Sequence, residues 1–137
     1  MEKLTMILPH PLQRRDLIER LDRIALSADA KVLVEKVIGT TIEIGGRIFE
    51  FGRHLLTFVL DLAKRFRGVA FGVCMALTVS ALVASTPLVG AFLAPMLSPL
   101  LLAFGLTMGA LEDIRNGALR GDIVGFGKAL ETVKASD

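Results

Sequence analysis

At 137 residues, 53% apolar and 22% charged, the chain has room for one domain and carries more apolar side chains than a water-exposed domain of that size usually does. A net charge of +2 is too small to suggest nucleic acid, and no Lys/Arg cluster is interleaved with aromatic residues as a stacking platform would require. The single cysteine, Cys74, excludes an intrachain disulfide framework and reads as an inert packing residue.

In chain order, MEKLTMILPHPLQRRD is too short and too interrupted by Pro9 and Pro11 to be a signal peptide. Pro11 opens a helix over roughly 12 to 28, with Leu17, Ile18, Leu21, Ile24, Ala25 and Ala28 on one face. Arg14, Arg15, Asp16, Glu19, Arg20 and Arg23 take the other face, and Ser27 with Asp29 marks the break and cap before the next helix.

That next helix is read from a seam. Val34, Val37, Thr41, Ile44, Ile48, Phe51, Leu55, Phe58 and Leu62 follow steps of three and four without a break, the a/d pattern of a coiled coil. Charges fall off the seam and pair at helical spacing: Glu43 with Arg47, Glu50 with Arg53, Asp61 with Lys64 or Arg65. Gly39, Gly45, Gly46 and Gly52 oppose this helix, each costing ~1 kcal/mol relative to Ala, and they invite close neighbours. Ile42, Phe49, Leu56, Val59 and Phe66 widen the apolar face beyond a two-stranded zipper. Residues 1–66 are thus expected to form amphipathic and coiled-coil-like helices with an oligomer seam.

Residues 68 to 111 contain no Asp, Glu, Lys, Arg or His, and this run predicts a membrane segment within 67–111. One helix of that length would be ~66 Å long, about twice the hydrocarbon core, so two spans are expected, about 68–85 and 88–111. The turn is placed at Ser85-Thr86-Pro87, with Pro95 and Pro99 making a broad, irregular tip. Lys64, Arg65, Arg67, Arg115 and Arg120 flank the run, which predicts both termini on the cytoplasmic side of an inner or cytoplasmic membrane. The chain has no Trp or Tyr to anchor a far interface, so a wedge entering and leaving one leaflet is the competing geometry.

Small residues recur every fourth position at Gly68, Gly72, Ala76, Ser80 and Ala84, and again at Gly105 and Gly109. Such a ridge lets helix backbones approach closely, within one chain or between chains. The stretch TPLVGAFLAPMLSP, residues 86 to 99, is similar to the proline knot of oleosins, the hairpin proteins of lipid droplets. Pro87, Pro95 and Pro99 stand in for its three prolines, with one extra residue between the first two, over about a tenth of the chain. The resemblance implies the monotopic wedge.

In the tail, 112–137, Gly117, Gly121, Gly125 and Gly127 predict a loose connection into a short amphipathic segment carrying Ile123, Val124, Phe126, Leu130 and Val133. Chemistry is sparse. His10 and His54 have no second His or Cys at ligand spacing, so no metal is expected. No phosphate loop, nucleophile elbow or zinc-protease motif occurs, so neither a cofactor nor catalysis is expected. The sequence therefore predicts an all-α integral membrane protein that self-associates into an oligomeric assembly such as a pore, a holin-like lesion or a secretion-apparatus subunit, its partners the lipid bilayer and further copies of itself. The alternative is a membrane anchor or scaffold that recruits a protein partner through residues 12–66.

Overall fold

The computed structural model describes residues 11–24, 26–44, 46–85, 87–106 and 117–135. Among them, helices α1 (Arg14–Asp22) and α2 (Ala28–Ile38) precede a short hairpin of β1 (Ile42–Ile44) and β2 (Arg47–Phe49). Helices α3 (Phe51–Arg65), α4 (Phe71–Ser85), α5 (Pro87–Ala103) and α6 (Gly117–Ala135) follow.

Helix α1 buries Leu17 and Leu21 and leaves its arginines exposed, but it ends at Asp22, well short of the helix expected over 12 to 28. The segment before it is clipped to α3: the Leu12 N–H donates to Thr57 Oγ1 at 2.9 Å, and Arg53 Nε donates to the Leu12 carbonyl at 2.9 Å. Ser27 caps α2 as its sequence position suggests, its Oγ accepting from the Ala30 N–H at 3.2 Å.

The coiled-coil seam does not run as one helix. Val34 and Val37 are buried in α2, and Phe51, Leu55, Phe58 and Leu62 are buried in α3, but Ile44 lies on β1 and Ile48 on β2. The strands pair antiparallel with Ile42 opposite Phe49, Glu43 opposite Ile48 and Ile44 opposite Arg47. Gly46, at φ +78°, provides the left-handed turn residue that two such short strands need. Glu43 and Arg47 therefore sit on opposite strands, one register apart, whereas Glu50–Arg53 and Asp61–Arg65 do form ion pairs. Ile48, a seam position on paper, is 70% exposed. After the hairpin α3 begins hard against the end of α2: a Cβ on Gly52 would lie 1.7 Å from the Val37 carbonyl oxygen, and the Gly52 N–H donates to the Thr40 carbonyl at 2.9 Å.

Helix α4 is the centre of the molecule. It packs on α3, α5 and α6, and every side chain from Cys74 to Ser80 is buried. A helix wrapped on all sides has no wet face on which a charge could sit, so it is apolar all round for the same reason a membrane helix is. The membrane reading is overturned on this point. With 15 residues α4 is about 22 Å long and with 17 α5 is about 25 Å, short of a ~30 Å hydrocarbon core. Among the described residues no helix is long and apolar enough to cross a membrane. The transmembrane hairpin, the pore and the placement in an inner or cytoplasmic membrane give way to a helical bundle.

The expected second span stops early because a cap ends it. The Gly105 N–H bonds the Leu102 carbonyl at 3.1 Å, the Leu106 N–H bonds the Leu101 carbonyl at 2.8 Å, and Gly105 adopts φ +66°. This is the paired bonding of a Schellman stop, so Gly105 terminates α5 instead of lining a helix contact. Residues 107–111 of the expected span lie outside the described residues.

The tail forms a 19-residue helix in spite of its glycines. Ile123, Phe126 and Leu130, at steps of three and four, are buried; the Phe126 ring stacks on Phe58 at 4.3 Å. Arg65 holds Asp61 of its own helix at 3.2 Å and Asp122 of α6 at 3.3 Å. One contiguous core extends from Leu17 of α1 to Leu130 of α6.

Candidate self-association surface

Helix α5 carries apolar residues on two opposite faces. Its inner seam, Gly90, Leu93, Leu97 and Leu100, continued by Phe104 just past its end, steps by three, four, three and four toward the core, with Leu93 and Leu100 fully buried. The two uncharged helices run antiparallel, since Gly90 at the start of α5 meets the end of α4 while Phe104, just past α5, meets its start. A Cβ on Gly90 would lie 2.7 Å from the Val83 carbonyl oxygen and 3.0 Å from that of Leu82. Gly90 thus lets the backbones of α4 and α5 approach closely.

The outer face of α5 repeats the spacing. Phe92, Pro95, Pro99 and Leu102 step by three, four and three, and all four are exposed, Leu102 at 85% and Phe92 at 41%. Ala91, Ala94 and Ser98 fill in around them, and α5 has no charged residue. Pro87 is the first residue of α5, where its missing N–H costs nothing. Pro95 and Pro99 lie inside the helix and withdraw the donors that Ala91 and Pro95 carbonyls would use; all three residues are exposed. The three prolines of the oleosin-like stretch therefore belong to one continuous helix, and no irregular tip forms at Pro95 or Pro99.

Beside this face lies a groove of about 340 Å³ between α2 and the end of α5, lined by Asp29, Val32, Leu33, Lys36, Pro99, Leu102 and Ala103. Val32, exposed at 55%, continues the apolar surface from α5 onto α2. Asp29 and Lys36 are exposed at the two ends of the α2 wall, and no ion pair joins either one to another described residue.

The small-residue ridge is split by its surroundings. Gly68 is in the exposed turn before α4, with open space where a Cβ would be. Gly72 is half-buried under the Phe104 ring, whose Cδ1 would meet its Cβ at 2.6 Å. Ala76 and Ser80 are buried, Ala84 is exposed, and Gly109 lies outside the described residues. The seam residues Val34, Val37, Phe51, Leu55, Phe58 and Leu62 are likewise committed to the chain's own core.

Reactive side chains are few here. Cys74 is fully buried, and burial pushes its thiol up to about 11, which withholds the thiolate. Thr78 Oγ1 donates to the Cys74 carbonyl at 2.7 Å, as a hydroxyl inside a buried helix must. His54 stacks on Phe49 at 4.8 Å, and His10 lies outside the described residues. Among the described residues no three His, Cys, Asp or Glu side chains converge on a point that could hold a metal ion.

Compared with known protein families, curated proteins and solved structures, the chain finds no match. Its functional reading rests on its own surface. Sequence reasoning did not single out Phe92, Leu102, Val32 or Lys36, and gave Asp29 only as part of a helix cap. The available signal was the double seam of α5: two sets of apolar positions at helical spacing on opposite faces cannot both be buried by one neighbouring helix.

Proposed function

We propose that the chain is a self-associating helical subunit, working through a surface that binds further copies of itself and not through catalysis. The observation that carries this reading is the outer seam of α5: Phe92, Pro95, Pro99 and Leu102 form a contiguous, charge-free stripe on an exposed helix face, where polar residues normally lie. The continuation onto Val32 of α2 enlarges the patch.

The test is the particle mass in detergent-free solution by sedimentation equilibrium. The expected result is a multiple of the 14.8 kDa chain that falls toward one chain on dilution and on Leu102→Asp. A single-chain mass at every concentration would overturn self-association. A second reading, a scaffold that binds a different protein through residues 12–66, is favoured by Ile48, 70% exposed on β2 within that segment. It predicts the single-chain mass.

A further inference from the structure

The groove between α2 and α5 has a charge pattern that is complementary to itself. Asp29 and Lys36 stand seven residues apart on one face of α2, about 10 Å along the axis, with Val32 and Leu33 between them. Turning a second α2 antiparallel about a point midway between positions 32 and 33 brings position 29 opposite position 36 and position 32 opposite position 33. Each Asp29 then faces a Lys36 of the other copy, twice in one interface, and Val32 meets Leu33 at the centre. A parallel arrangement would place Asp29 against Asp29 and Lys36 against Lys36, which like-charge repulsion disfavours.

Resting on the self-association proposed above, we infer that the groove seats a second copy of this chain about a two-fold axis, with the two α2 helices antiparallel and Asp29 of each paired with Lys36 of the other. A two-fold contact uses the same patch on both copies, and this patch has an apolar middle and opposite charges at its two ends, as that symmetry requires. Leu102, on the α5 wall and 85% exposed, is the side chain with most surface to bury on closure. Lys36 and Asp29 supply register and orientation, and Val32, Leu33, Pro99 and Leu102 supply the apolar contact.

Charge reversal tests this arrangement by sedimentation equilibrium, with circular dichroism as a folding check at these two exposed positions. Asp29→Lys alone places a lysine against Lys36 of the partner at both ends of the interface and is expected to weaken association about tenfold, and Lys36→Asp should do the same. The double variant Asp29→Lys/Lys36→Asp should recover most of the loss. An equimolar mixture of the two single variants should form mixed dimers in preference to either parent dimer, since every pair across the axis is then opposite in sign. Single variants that associate as tightly as the wild type, or a double variant weaker than both singles, would overturn the inference while leaving self-association standing. A wild-type chain that stays monomeric would remove both.

Discussion

Helices α4 and α5 come from the same uncharged run, lie antiparallel on each other, and end in different surroundings. Helix α4 is enclosed by α3, α5 and α6, whereas α5 is covered on one side and turns Phe92, Pro95, Pro99 and Leu102 outward. On the proposed self-association, absence of charge has two causes in one molecule. In α4 it reflects neighbours within the chain on every side. In α5 the outer face is exposed, bordered only at its end by the groove against α2, and its lack of charge is what the proposed contact with a second copy would account for.

A charge placed on each helix separates the two causes most strongly. Val79→Asp in α4 buries an unpaired carboxylate and is expected to cost ~4 kcal/mol or more, leaving little folded protein in a denaturant titration. Leu102→Asp in α5 should shift stability by no more than about 0.5 kcal/mol while lowering the particle mass. Equal losses of stability would erase the distinction between the helices.

The contact between the helices is probed next. An alanine at Gly90 meets the backbone carbonyls of Val83 and Leu82, which cannot move without shifting α4, so Gly90→Ala should cost about 2 to 3 kcal/mol. Gly72→Ala meets the Phe104 ring, which can swing aside, so it should cost about 1 kcal/mol. A reversed order in thermal or chemical unfolding would show that α5 is not seated on α4 as described.

Alkaline pH tests the enclosure of α4 by itself. The Cys74 thiol titrates near 9.0 when free and is pushed up to about 11 by burial, so the native state holds this proton more tightly than the unfolded chain does. The resulting stabilisation is fully present below pH 9 and is lost as pH rises toward 11, on the order of 2 kcal/mol. Cys74→Ala should flatten the wild type's fall in stability over that window. An identical slope in both proteins would place the thiol in contact with water.

The smallest effects are expected on α6. Gly121 and Gly125 lie in helix interior with open space around the site of a Cβ, so alanine at either position should stabilise the chain by about 0.5 to 1 kcal/mol through lost freedom in the unfolded state. A loss of stability or of particle mass would mean that this ridge is occupied.

These same helices show how far the sequence could be read. The break between α4 and α5 falls at the Ser85–Pro87 step, because proline constrains the residue before it, and the Ser27 cap and the Phe51–Leu62 face follow from equally local chemistry. The hairpin was hidden because Ile44, Ile48 and Phe51 fit a heptad by chance. The Gly45-Gly46 pair between the alternating IEI and RIF was the stronger signal, since a tight hairpin needs a turn residue at positive φ. Helix α6 was obscured by its glycines, whose poor propensity is outweighed by burial of Ile123, Phe126 and Leu130. The solvent around residues 68 to 111 could not be read from hydropathy, because enclosure by neighbouring helices and enclosure by lipid select the same side chains. Helix length decides between them, and that length hung on whether Gly105 continued a helix or ended it.

The most direct measurement compares thiols on the two helices at low and high protein concentration. In the wild type, Cys74 should resist a maleimide reagent at every concentration until denaturant opens the core. In a Cys74→Ala background, Leu102→Cys should react rapidly when dilute and progressively more slowly as the chain associates. Rapid native labelling of Cys74, or a labelling rate at position 102 that is independent of concentration, would contradict the account of an enclosed α4 beside an α5 that binds another copy.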